Sequence, residues 1–351
     1  MRNREVDWQI KALSNFLARA TCPAGKAIPA RRLTVAVPGP ALPVGRPARR
    51  WPLAYEAGKS LSLNSIIEEE ANLSNNLDAL LARAKSIRAD IVKMTTEAGS
   101  GHPSSSLSAT EVVTALYFGG VLRYDPKNPH WPDRDRFILS KGHAAPVLYA
   151  ALAQAGYFPH DEIMTLRKLG SPLEGHPNMK RLPGVEASTG SLGQGLSIGV
   201  GHALAARIDN KTYHTYVLTG DGELGEGQNW EAAASAAKYG LDNLTLIVDR
   251  NHFQQTGAAE DVLNLDPIDG KFTAFGWKTQ VINGNDLREV LRAFERVKAV
   301  EGQPTCIVSL THKGQGILEL LRKLGDTNFH GKTLPAKYLS DALAEIASES
   351  E

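Results

Sequence analysis

The stretch GDGELGEGQNWEAAASAAKYGLDNLTLIVDRN, residues 220–251, decides the fold. It opens on a Gly-Asp-Gly turn, runs through an Ala-rich helical segment and closes on the apolar run LTLIVD followed by Arg-Asn. Upstream, YHTYVLT (213–219) has the β-branched and aromatic content of a strand, so the whole reads as strand, helix, strand. In a βαβ unit both strands run the same way and their carboxyl ends lie at one edge of the sheet. Ligands of open parallel sheets bind at that edge. Asp221 and Asn251 are therefore expected to be neighbours in space although far apart in sequence.

Outward from this unit the alternation continues. RFILS (136–140), LTLIVD (244–249), GWKTQVI (276–282) and TCIVSL (305–310) read as strands, with helices expected over 144–156, 229–239 and 286–300. From Asn72 onward, Leu73, Leu77, Leu80, Leu81, Ala84, Ile87, Ile91 and Met94 recur at three- and four-residue steps, an amphipathic helix with Asn72 or Ser74 as candidate cap. That helix must stop by AGSGHP (98–103). The fold class is α/β: a mostly parallel sheet with helices on both faces.

Composition narrows the function. The 351 residues are 42% hydrophobic and 22% charged, as in an ordinary globular protein, and the net charge of +1 offers nothing to nucleic acid. No apolar run approaches a membrane span. Cys22 and Cys306 are the two cysteines, so neither a disulfide framework nor a cysteine metal site is supported, and a reducing, cytoplasmic location is favoured. The charge is uneven. Residues 1–60 carry 11 Lys/Arg against three acidic residues and seven of the 19 prolines. Residues 1–65 read as a basic, Pro-rich, disordered extension or targeting segment, and residues 66–345 as the folded domain.

The two ends of the opening stretch have a shared chemistry. Asp221 offers a carboxylate, Asn251 an amide oxygen, and the turn after it a backbone carbonyl, that of Phe253 being best placed. Hard oxygen donors carrying one negative charge suit Mg²⁺ or Ca²⁺ (or Mn²⁺), but are too few unless the ligand adds oxygens, as a diphosphate does. Gly220 and Gly222 let the backbone approach a phosphate. Either tripeptide alone is best read as a plain turn or strand end; together, their spacing and position after strands favour the metal-diphosphate reading.

SGHP (100–103), LSKGH (139–143), GHP (175–177), TGSLGQG (189–195), GDGELGEG (220–227), DRNHF (249–253) and HG (330–331) occur in the order of the N-terminal, thiamine diphosphate-binding half of transketolases, and the chain resembles that family over roughly 71–340. The resemblance implies a thiamine diphosphate-binding (PP-type) fold. It implies Asp221, Asn251 and the Phe253 carbonyl as metal ligands, Gly222 against the diphosphate, His143 and His330 on the diphosphate or thiazolium side, and Gly190 and Leu192 at the aminopyrimidine. It further implies His102 and His176 facing substrate hydroxyls, with His330 also in the catalytic set. Glu226 would stand at a contact between two halves of the site. Two departures are Ser191, where the family has Pro, and Arg250, where it has Asp. Taken singly, without the resemblance, His102, His143, His176 and His330 are better explained as structural or incidental loop histidines. Lys313 in THKGQG is open to either a phosphate-binding or a solvated reading, and Cys306 reads as core.

The resemblance also implies what the chain lacks. The glutamate that activates the cofactor in this family resides in a pyrimidine-binding domain of some 300 further residues. The implied protein is one subunit of a split transketolase, working with a separate C-terminal subunit in an α₂β₂ assembly on sugar phosphates. Alternatives are a subunit of a deoxyxylulose-phosphate synthase-like or dehydrogenase E1-like enzyme, a non-catalytic phosphate-ligand module, or an inactive relic.

Overall fold

Strand residues alternate between two cores, which places helices on both sides of the sheet. A computed structural model describes residues 63–326 and 328–349, with side chains described from Asn76; the expectations for residues 1–62, and Cys22 with them, lie outside the described residues. The chain runs through α1 (Leu63–Ala98), α2 (Pro103–Leu107), α3 (Thr110–Phe118), β1 (Arg136–Leu139), α4 (Ala145–Ala155), α5 (Gln194–Ile208), β2 (Thr215–Gly220), α6 (Gly227–Lys238) and β3 (Leu244–Arg250). A two-stranded ribbon, β4 (Phe253–Gln254) with β5 (Gly257–Ala258), leads into α7 (Ala259–Leu263) and α8 (Ile268–Ala274). Then come β6 (Lys278–Asn283), α9 (Leu287–Val297), β7 (Thr305–Leu310), α10 (Leu318–Lys323) and α11 (Leu339–Ser348).

The main sheet has five strands in the order β1-β2-β3-β7-β6, every pair parallel. β1, β2 and β3 are buried along their whole length, which is why they read as unbroken apolar runs rather than alternating ones. Phe137, Leu139, Tyr216, Leu218, Ile247 and Ile307 enter one core with α1, α3, α4 and α9. Ile138, Val217, Leu246, Val248, Cys306 and Val308 enter the other with α5, α6 and α8. This is the period of two expected of a pleated strand. Ile247 is fully buried on the central strand, and its truncation to alanine should cost about 2–5 kcal/mol.

The helix ends follow local chemistry. α9 starts where the Asp286 carboxylate accepts the amides of Arg288 at 2.8 Å and Glu289 at 3.3 Å. α4 ends at Gly156, whose φ of 90° closes the helix in the left-handed region. One expectation is corrected: α1 begins at Leu63, so Asn72 and Ser74 lie within its span and not at its start. The segment before them, LNSIIEEEA, carries three consecutive Glu and neither Gly nor Pro, so nothing in it breaks a helix. Its apolar stripe is as expected, with Leu77, Leu80, Ala84, Ile87, Ile91 and Met94 buried. Cys306 is fully buried, as expected of a core residue. Helices α2, α3, α5, α7, α8, α10 and α11 and the β4–β5 ribbon were not marked by the strand-helix alternation.

Candidate functional site

Gly220 and Asp249 are partners in the β2–β3 ladder, and the Asp221 amide donates to the Asp249 carbonyl at 3.1 Å, so the two motif ends leave the sheet side by side. The Asp221 carboxylate is held by three donors. Its Oδ1 accepts the Gly222 amide at 2.9 Å; its Oδ2 accepts the His252 amide at 2.9 Å and the Arg250 guanidinium at 2.9 Å. His252 reaches that position with φ of 66°, a left-handed conformation uncommon for a residue with a side chain and stabilised here by the turn. Burial pushes the Asp221 carboxyl above its ordinary range, with Arg250 opposing.

A buried network lies behind this carboxylate. Lys141 and Asp249, each 1% exposed at the side chain, form an ion pair at 2.5 Å. Asp249 also accepts the hydroxyls of Ser108 at 2.6 Å and Thr311 at 2.5 Å, and the side-chain amide of Asn251 at 3.1 Å. Burial alone would raise the Asp249 carboxyl, but Lys141 and the two hydroxyls outweigh it and hold it below its ordinary range. Because Asn251 gives its nitrogen to Asp249, its oxygen faces the other way, where it accepts the Phe253 amide at 3.2 Å and keeps a lone pair free.

Lys141, Asp221, Asn251 and Phe253 line one cavity of about 360 Å³ with His102, His143, His176, Gly190, Leu192, Gly222, Glu226, Lys313 and His330. Every expected site residue is thus brought to one place. The rings of His102, His143 and His330 form a triangle with centroids 5.1, 5.1 and 5.4 Å apart. Burial, then neighbouring positive charge, keeps them neutral: His102 and His330 are each lowered to about 4, and His143 falls well below its ordinary value. His176 is lowered in the same sense by burial and Arg167. Lys313, left open by the sequence, is 4% exposed and donates to Asn328 Oδ1 at 2.7 Å and to His330 Nδ1 at 3.1 Å. An ammonium only donates, so Nδ1 of His330 accepts and Nε2 carries the proton. Burial and Lys141 bring the Lys313 ammonium down to about 8, so it is charged at neutral pH.

The wall positions fit a diphosphate cofactor. A Cβ on Gly190 would lie 2.9 Å from the His176 ring, and one on Gly222 would lie 2.8 Å from Gln254 Cγ, so glycine keeps both surfaces open. The buried Nδ1 of His102 has no hydrogen-bond partner among the described residues, which leaves it able to meet a ligand. Among the described residues no group of three or more His, Cys, Asp or Glu side chains is placed to hold a metal ion. The donor set here is instead one carboxylate, one amide and one carbonyl, which suits a hard divalent ion completed by phosphate oxygens.

Sequence reasoning missed Lys141, Asp249, Glu223 and the role of Arg250. The signal for the first two was a charge closing an apolar strand, at VD and SK, where desolvation demands a partner. Glu223, 3% exposed, accepts the Gly193 amide at 3.0 Å, the Gly220 amide at 3.1 Å and the Ser140 hydroxyl. Arg250 links Asp221 to Asp266, 2.5 Å from its guanidinium. Glu226 is exposed at the cavity rim and packs on Gly193.

Comparison with known proteins agrees with this geometry. Residues 81–346 match the family model described as transketolase, thiamine diphosphate binding domain. A subunit of the apulose-4-phosphate transketolase of Actinobacillus succinogenes is 43% identical over 273 residues, covering 78% of this chain and 97% of that one. Human transketolase is 42% identical over 274 residues, covering 78% of this chain and 43% of that one. A crystal structure of Pichia stipitis transketolase superposes with a TM-score of 0.65 at 30% identity, covering 76% of this chain and 44% of that one. The chain therefore spans less than half of the full-length transketolases and nearly all of the apulose-4-phosphate transketolase subunit. It belongs to the transketolase family and carries that family's thiamine diphosphate-binding domain.

Proposed function

We propose that this chain is the thiamine diphosphate- and divalent metal-binding subunit of a two-subunit transketolase, active with a separate C-terminal, pyrimidine-domain subunit. The reaction is transfer of a two-carbon ketol unit from a ketose phosphate to an aldose phosphate, as in pentose phosphate metabolism, in the cytoplasm. The observation that carries the reading is the match along 97% of a relative that is itself named a transketolase subunit, together with a cavity lined by every candidate site residue.

In this reading Asp221, Asn251 and the Phe253 carbonyl hold Mg²⁺ (or Ca²⁺ or Mn²⁺), and Gly222 and His143 lie against the diphosphate. Lys313, charged at neutral pH, offsets phosphate charge and fixes the tautomer of His330. Gly190 and Leu192 receive the aminopyrimidine. Bound thiamine diphosphate supplies the electron sink for cleaving the bond beside a ketose carbonyl. His102, His176 and His330 are neutral at pH 7 and so can take a proton from, or orient, a substrate hydroxyl. Glu226, exposed at the rim, meets the second subunit in a heterotetramer.

Mixing decides the matter. The purified chain, combined with a candidate C-terminal subunit, Mg²⁺ and thiamine diphosphate, should show ketol transfer from xylulose 5-phosphate or a related ketose, and neither chain alone should. Absence of transfer from every combination would sink the reading.

A further inference from the structure

Three segments that wall the cavity meet on one buried carboxylate. Glu223 sends Oε1 to the Gly193 amide at 3.0 Å and to the Ser140 hydroxyl, and Oε2 to the Gly220 amide at 3.1 Å. Its own carbonyl accepts the Asn229 side chain at 2.7 Å, which fixes the backbone from which it reaches. Gly193 closes the TGSLG loop that carries Gly190 and Leu192, Ser140 begins the SKGH turn that carries His143, and Gly220 precedes Asp221. Among the described residues no other hydrogen bond joins the 189–195 loop to the 220–226 turn. Thr189 Oγ1 also joins the 189–195 loop to the Leu139 carbonyl at 2.7 Å, and the loop approaches its neighbours closely at two glycines: a Cβ on Gly195 would overlap Ser140 Oγ, and one on Gly193 would sit 2.5 Å from Glu226 Cβ. Such approaches set a minimum distance and do not hold the loops together.

The metal turn has its own supports. Asp221 is fixed by Arg250 and the His252 amide, and Asn251 by Asp249, none of which involves Glu223. Thr189 Oγ1 thus ties the aminopyrimidine loop, one wall of the cavity, to the Leu139 carbonyl, and Glu223 makes the one hydrogen bond, among the described residues, that ties this loop to a second wall, the turn carrying Asp221.

We propose that Glu223 is a positioning residue that couples these walls, so that the two ends of thiamine diphosphate are gripped as one unit. The inference rests on the proposed function, since it needs a ligand that spans both walls. Its signature is selective: losing the tie should weaken a ligand that needs both walls and spare one that needs only the metal turn. General damage to the fold would weaken both alike.

Calorimetry on the full chain with Mg²⁺ tests this, using thiamine diphosphate as the spanning ligand and inorganic pyrophosphate as the short one. Glu223→Gln keeps the shape but sets an NH₂ group against a ring of donors. It should weaken thiamine diphosphate about ten-fold or more, and pyrophosphate by less than about two-fold, as loss of buried charge-assisted hydrogen bonds predicts. Ser140→Ala removes one arm, leaves the carboxylate in place, and should show a smaller loss confined to the same ligand. Equal weakening of both ligands, or no change in either variant, overturns the coupling. A wild-type chain that binds thiamine diphosphate no better than pyrophosphate overturns the proposed function itself, which keeps the two failures apart.

Discussion

Asn251 donates its side-chain nitrogen to Asp249, 3.1 Å away, and that bond decides which end of the amide faces the cavity. Asp249 performs this role because Lys141 compensates it in an environment where neither side chain is more than 1% exposed. Lys141→Met leaves a buried, unpaired carboxylate and should cost about 3–5 kcal/mol in urea unfolding. A loss under about 1 kcal/mol would show that the pair does not hold the site's floor.

Asp221→Asn preserves shape and still offers an oxygen to Arg250 and to the His252 amide. It removes the single negative charge from the three proposed oxygen ligands. Mg²⁺-dependent binding of thiamine diphosphate should fall by about ten-fold or more, with the melting temperature shifted by only a few degrees. Retained affinity would remove Asp221 from the metal set.

Arg250→Met takes away the cation that offsets both Asp221 and Asp266. Before metal binds, Asp221 then lacks a counter-charge; afterwards the metal supplies one. The thermal midpoint should drop in the metal-free chain and recover much of the difference with Mg²⁺ and thiamine diphosphate present. Equal losses in both conditions would mean that Arg250 serves Asp266 alone.

Stability should fall on mild acidification for a stated reason. His102 and His330 have values of about 4 in the folded chain against 6.5 ordinarily, so between those limits the unfolded chain binds more protons. Folding free energy is therefore intact above pH 6.5 and lost as the pH drops toward 4. Lys313, lowered from 10.5 to about 8, gives a separate gain as pH rises through that interval. Urea midpoints compared at pH 7 and pH 5 should show a smaller acid loss in the His102→Asn/His330→Asn variant than in the wild type. Equal acid losses would mean that these imidazoles are not buried neutral.

Much of this was readable from residues alone because the decisive elements are strands buried on both faces. RFIL, LTLIVD and TCIVSL announce themselves as apolar runs, and the turns after them had to lie at one edge. The short helices α2 and α10 escaped because five or six residues carry too little periodicity to register. The tie made by Glu223 escaped for a different reason. Its partners are two backbone amides and a hydroxyl, none of which is marked by residue type. Lys313 was ambiguous because a lysine after a strand is normally solvated; only its burial beside His330 gives it a defined partner.

The all-parallel sheet also constrains the order of events on the ribosome. No strand pair in it is joined by a hairpin, and the ladder from Arg136 to Thr215 must wait for everything between them to be made. The cavity draws on residues from His102 to His330. A nascent chain therefore has no complete cofactor pocket until His330 has emerged.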